Sequence, residues 1–227
     1  MAGGFSAVLI YILSTLTIIF LILPFHEWAH AFAASKLGDT SIKYRGRLSL
    51  NPMSHIDYTG ALFMLLFGFG WAKPVPVDDR KFKNPKLGMA ITALAGPLAN
   101  IVAALFGGFI YYLVVFIVLK TNPMLIATSK FFVYFQMFFG FYISINCMLA
   151  VFNLIPWPPL DGSKILFPML PDKWVYKFYQ YQQYFFIALV VLMFTGVLST
   201  PINSLSNTLT NFVSDICSKP FIYLLNK

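Results

Sequence analysis

The sequence predicts an all-α polytopic membrane protein with about four to five transmembrane helices, and three observations predict it. Of 227 residues, 59% are hydrophobic and only 11% charged, too few charges to cover a water-soluble core. The apolar residues fall in long runs; the stretch from Ala7 to Phe25 carries no charge and, at about 1.5 Å per helical residue, crosses most of a bilayer. These runs do not alternate polar with apolar, so the backbone is satisfied within helices and not in a closed barrel. We expect a single integral-membrane domain over 1–227, with a core of about 5–170 and a C-terminal span and tail of about 178–227.

The elements follow in order. A first helix is expected from about Phe5 to Leu37, stopped by Gly38-Asp39. Pro24 inside it removes one backbone donor and can turn the following residues off the axis. Thr40 to Leu50 alternates polar and apolar residues, with β-branched members, and reads as a short strand or β-hairpin. Tyr58 to Trp71 is apolar, too short to span, and rich in glycine (Gly60, Gly68, Gly70), which suggests a re-entrant or interfacial segment. Trp71 to Val77 reads as an extended, proline-stiffened stretch, followed by basic residues from Arg80 to Lys86.

A second span is expected from about Leu87 to Leu119 and a third from about Leu125 to Phe152. A loop with three prolines, Asn153 to Gly162, follows. A fourth span is expected from about Tyr181 to Leu198. Past Pro201, a weakly amphipathic tail reads as a surface segment or a last helix.

Charge orients this layout. If the Tyr58 to Trp71 segment does not cross, Lys36, Lys43, Arg45, Arg47, Lys73, Arg80, Lys81, Lys83, Lys86, Lys164, Lys173 and Lys177 share one side, which is 12 of the 16 basic residues. Lys120, Lys130, Lys219 and Lys227 lie on the other. The positive-inside rule then turns the end of the first helix and the Asp161 loop toward the cytoplasm, with the N-terminus outside. The basic residues are scattered between apolar spans and form no stripe, which argues against nucleic-acid binding despite a net charge of +8. Cys147 and Cys217 lie far apart in apolar surroundings and read as packing residues. The N-terminus lacks the basic region and cleavage site of a signal peptide, so the first apolar segment is expected to stay as a span.

Chemistry concentrates in His26-Glu27-Trp28-Ala29-His30. On a helix, residues four apart share a face, so His26 and His30 can present two imidazoles to one Zn²⁺ ion. Glu27 stands beside them, where H-E-x-x-H enzymes keep their general base. Ionisable groups at membrane depth are costly and are functional candidates by default. Zinc hydrolases commonly use three protein ligands, and Asp161, in the rigid loop where the third span ends, is the preferred third one. His55 is the remaining histidine. Its neighbours Asn51-Pro52, Ser54 and Asp57 suggest instead a polar surface turn that bonds a neighbouring loop or lines the mouth of the site.

The same stretches resemble site-2-protease-type intramembrane zinc metalloproteases, peptidase family M50. The resemblance rests on His26-Glu27-x-x-His30 with Leu37-Gly38-Asp39; Arg45-Gly46-Arg47 through Asn51-Pro52 and His55-Ile56-Asp57; Gly70-Trp71-Ala72-Lys73-Pro74-Val75-Pro76-Val77 with Asn84-Pro85-Lys86; and Ala95-Gly96-Pro97-Leu98-Ala99-Asn100 with Asn153-Leu154-Ile155-Pro156 and Pro159-Leu160-Asp161-Gly162. Tyr58 departs from it, since relatives commonly place proline there. It implies one zinc ion per chain held by His26, His30 and Asp161, water activated by Glu27, and a substrate that is a transmembrane protein or a signal-peptide remnant in the lipid bilayer. It also implies that Asn153 lies near the metal, where its amide could steady an oxyanion; a helix C-cap is the alternative. Asn100 reads as a residue that satisfies backbone, packs between helices or orders a loop. Lys73 to Val77 could supply an edge for an extended substrate, or be a plain interfacial loop.

Two other functions fit the composition. A catalytically silent scaffold or chaperone of the same fold would not need the intact Glu27. An ion or metal transporter would string its charged groups along a path, whereas here they cluster at one depth.

Overall fold

The computed structural model describes residues 4–67 and 70–226. Gly68 and Lys227 lie outside them. The first helix starts as α1 (Gly4–Thr17), passes through a π-helical turn (Ile18–Ile22) and continues as α2 (Leu23–Leu37). Pro24 sits at the start of α2, so the widened turn just before it absorbs the missing donor and no sharp kink forms.

The expected β-hairpin at Thr40 to Leu50 is absent: the segment forms α3 (Ser41–Tyr44), and the described residues contain no strand. Two local forces explain the difference. Asp39 Oδ1 accepts from Ser41 N–H at 3.1 Å and Ser41 Oγ at 2.5 Å, which starts a helical turn. Ile42 then drops into a core with Ala31, Ala34 and Phe82, which suits one helical turn better than a two-faced strand.

The short apolar segment forms α4 (Tyr58–Phe67), about 15 Å long and too short to cross a bilayer. Asp57 Oδ1 caps it through Gly60 N–H at 2.9 Å. The chain then returns along α4: Lys73 N–H donates to His55 carbonyl at 2.8 Å, and a single antiparallel bridge joins Ile56 to Ala72. Residues 73–78 are extended without becoming a strand.

Long helices α5 (Pro85–Thr121) and α7 (Lys130–Asn153) follow, joined by α6 (Met124–Thr128). Asn84 caps α5 and Ser129 caps α7. Then come the short α8 (Asp161–Ile165), α9 (Asp172–Gln180), α10 (Gln182–Phe194) and α11 (Ser199–Leu225).

Among the described residues, three helices are long and apolar enough to cross a membrane: Val8–Leu37, Pro85–Thr121 and Lys130–Asn153. The expected fourth span differs from expectation. α10 alone is about 20 Å long and falls short; it meets α11 at an 83° bend, so the pair makes a fourth crossing only as a broken span. The tail is a true helix. Val213 and Cys217 of α11 pack on Ala104 of α5 and on Ile143 and Cys147 of α7.

One end of the bundle collects the loops. Ala31, Ala34, Ile42, Phe82, Met89 and Phe167 form one core, with Val175 and Phe178 of α9 against it. The segments that follow α2, precede α5 and follow α7 therefore meet there, and these segments carry most of the basic residues.

Candidate metal and catalytic site

His26 and His30 lie one turn apart on α2, both buried, with Nε2 atoms 3.0 Å apart. Their close approach to α5 depends on Gly96, because a Cβ there would overlap both imidazole rings. Asp161 arrives from the other side as the first residue of α8. Gly162 lets this turn press on the end of α7, since a Cβ would strike the carbonyls of Leu154 and Ile155. As a result Asp161 Oδ2 lies 3.3 Å from His26 Nε2 and 3.1 Å from His30 Nε2.

The protons on the rings decide what these three atoms offer. Thr92 carbonyl can only accept, so His30 Nδ1, 2.7 Å away, carries a hydrogen. His26 Nδ1 faces Asn100 Oδ1 at 2.6 Å and likewise donates. In the neutral rings both Nε2 atoms then present lone pairs, and they meet a carboxylate oxygen that no hydrogen bond satisfies. Such a trio is stable around a cation. Its edges of 3.0 to 3.3 Å match the ~3.3 Å between ligands of a tetrahedral zinc ion with bonds of about 2.0 Å. The residues fit the metal that the sequence implies.

Glu27 offers a carboxylate oxygen within 4.8 Å of the histidine ligand atoms. Its Oε2 accepts from Val75 N–H at 3.2 Å, which ties the general-base candidate to the extended stretch. That stretch is anchored further on by Asp39, which is fully buried. Asp39 Oδ2 accepts from Asp78 N–H at 2.8 Å, and its Oδ1 accepts from Lys81 Nζ at 3.1 Å. Burial opposes the charge of Asp39, but donors from Ser41, Asp78 and Lys81 outweigh it and hold the carboxyl below its ordinary range.

The other candidates separate clearly. His55 is buried and donates from Nε2 to Ser49 carbonyl at 2.7 Å, so it ties down its own loop and not the neighbouring one that the sequence reading expected. Asn153 ends α7 and donates Nδ2–H to Leu149 carbonyl at 3.0 Å; its amide is used within its own helix. Asn100 is more deeply involved than the sequence suggested, because it contacts His26 directly. Gly96 entered only as part of the resemblance, and the sequence reading gives Asn146 and Thr92 no role. An asparagine inside an apolar span is itself a signal, and Asn146 carries it; the Thr92 carbonyl carries none.

The sequence pattern of Peptidase family M50 matches residues 14–196. The "Putative zinc metalloprotease YwhC" of Bacillus subtilis is 40% identical over 185 residues, covering 82% of this chain and 80% of that protein. The like-named Rip2 of Mycolicibacterium smegmatis is 29% identical over 179 residues, 77% of this chain and 64% of its own. MJ0611 of Methanocaldococcus jannaschii, named in the same way, is 32% identical over 146 residues, 63% of each. No solved structure matches the chain.

Proposed function

The chain belongs to peptidase family M50, and from that premise we propose that it is a membrane-embedded zinc metalloendopeptidase that cuts peptide bonds in transmembrane segments. The observation that carries the reading is the convergence of His26 Nε2, His30 Nε2 and Asp161 Oδ2 within 3.3 Å of one another, with Glu27 alongside. These three residues would hold one zinc ion.

A bound zinc ion supplies Lewis acidity toward the scissile carbonyl and lowers the pKa of water toward neutrality. Glu27 would serve as the base that takes a proton from the attacking water and passes it to the leaving amine. The Val75 N–H bond to Glu27 holds the carboxylate against the extended stretch. Asn153 donates to the developing oxyanion after releasing Leu149. Asn100 and Thr92 keep the histidine protons away from the metal side.

The substrate is an unwound stretch of a transmembrane protein or signal-peptide remnant, since a helical backbone has no free groups to offer. The extended stretch shapes how such a substrate would bind. Lys73 and Val75 spend their N–H groups on His55 and Glu27, while Pro74 and Pro76 have none. The opposite edge therefore offers carbonyls only, so a substrate there would donate its own N–H groups without the full ladder of a sheet. The excess of basic residues at the end of the bundle that holds the site supports an orientation with that end toward the cytoplasm and the N-terminus outside.

The test is cleavage of a tagged transmembrane substrate by the purified chain in detergent or vesicles. Glu27→Gln preserves shape and removes the base, so kcat should fall by about 10² to 10⁴-fold while zinc content stays the same. Cleavage by the glutamine variant at the wild-type rate would exclude this mechanism and favour a different base.

A further inference from the structure

Two asparagines face each other inside the helix bundle. Asn100 of α5 and Asn146 of α7 are 1% and 0% exposed. A buried amide that merely fills space is costly in hydrocarbon, so the partners of each atom matter. Asn146 Nδ2 donates to Tyr142 carbonyl at 2.9 Å, Asn100 Nδ2 donates to Asn146 Oδ1 at 3.4 Å, and Asn100 Oδ1 faces His26 Nδ1 at 2.6 Å.

The direction of this chain follows from its far end. A backbone carbonyl only accepts, so Asn146 must turn its NH₂ to Tyr142 and its oxygen to Asn100. Asn100 must then turn its NH₂ to Asn146 and its oxygen to His26. His26 Nδ1 is left one role, that of donor. We propose that Asn100 and Asn146 form a directional amide relay that fixes His26 in the Nδ1–H tautomer from α7, so that its Nε2 lone pair points at the metal position. Asn100 and Asn146 are positioning residues, and their effect reaches the metal only through His26. The relay presupposes the zinc site proposed above.

The relay explains why one asparagine would not suffice. An isolated Asn100 can rotate its amide and offer NH₂ to Nδ1, which stabilises the opposite tautomer and places a hydrogen on Nε2. Asn146 removes that choice. An aspartate in its place can do the same work: protonated in this buried setting, its O–H donates to Tyr142 and its C=O accepts from Asn100.

The experiment uses the full chain in detergent, with zinc affinity measured by competition with a chromophoric chelator. The rings are followed by ¹⁵N-histidine NMR, which three histidines keep readable. Wild type should show a protected Nδ1 proton on His26. Asn100→Leu should lose that proton and weaken zinc binding about 10 to 100-fold, with Asn100→Asp restoring most of it. Asn146→Leu, which touches no ligand, should weaken zinc binding about tenfold and expose the same proton to exchange, while Asn146→Asp retains both.

If Asn100→Leu fails to fold, the two Asn146 variants carry the test. Folded Asn146→Leu with wild-type zinc affinity and a protected His26 proton would overturn the relay while leaving the zinc site intact. Wild type that binds no zinc would overturn the metal reading, and the relay's role with it.

Discussion

α7 meets its neighbours through two kinds of contact within a single turn, and they are built on different physics. Asn146 faces Asn100 and, through it, the metal position. Ile143 and Cys147, which flank Asn146 on the same helix, pack with Ala104 of α5 and with Val213 and Cys217 of α11. The first contact is directional: each partner specifies which atom the next must present. The second is not, since apolar and small side chains constrain only how closely the helices approach. The comparison predicts that the polar contact will be intolerant of changes that barely alter volume, while the apolar contact absorbs them.

Adding one methyl group to α5 beside each contact sets the comparison at its starkest. In Gly96→Ala the new Cβ would overlap the imidazole rings of His26 and His30, which cannot move without leaving Asn100, Thr92 and Asp161. Activity should fall by about 100-fold or more, because displacing a reacting group by an ångström has that effect, and zinc retention should fall with it. In Gly108→Ala the nearest atom is Cys217 Sγ at 2.9 Å, the end of a side chain that can swing away. Zinc content and turnover should be those of wild type. Equal losses in the two variants would mean that helix spacing, and not ligand direction, governs the site.

Asp39 extends the directional logic to the loop that holds Val75 against Glu27. Its native carboxyl titrates below the ordinary range, so its contribution to stability is fully present above the unfolded-state value of about 3.9 and is lost as pH falls through the lower native value. Thermal stability in detergent should therefore drop on acidification below about pH 4. Asp39→Asn should lower stability at neutral pH by about 2 kcal/mol, the usual weight of charge-assisted hydrogen bonds, and flatten that acid limb. An unchanged limb would assign acid sensitivity to other carboxylates.

The sequence made some of this readable, and the divide follows the same line. Long apolar runs announced the spans, since hydropathy depends on composition alone. His26, Glu27 and His30 were legible because helical spacing puts them on one face, and Asp161 because a proline-rich loop must end somewhere fixed. Thr40 to Leu50 was misread because its alternation suggested a strand, while the local bonds from Asp39 that wind α3 depend on three-dimensional context. The 83° break between α10 and α11 hid behind continuous hydropathy. Asn146 escaped notice because its meaning lies in a partner 46 residues away, and Thr92 contributes a carbonyl that any residue would supply.

The smallest expected effect lies at the apolar contact. Cys217 is 4% exposed, its Sγ approaches Leu105 carbonyl at 3.4 Å, and it packs beside Gly108. Cys217→Ala removes one sulfur's dispersion contacts and leaves a void about the size of a methyl group, which should cost about 1 kcal/mol. Cys217→Ser keeps the donor to Leu105 and should cost no more. Neither change alters any hydrogen-bond direction near His26, so zinc affinity and kcat should remain at wild-type values while the melting temperature moves slightly. A loss of zinc in Cys217→Ala would mean that α11 transmits packing changes through α7 to Asn146, and the two contacts of that helix would then have to be treated as one.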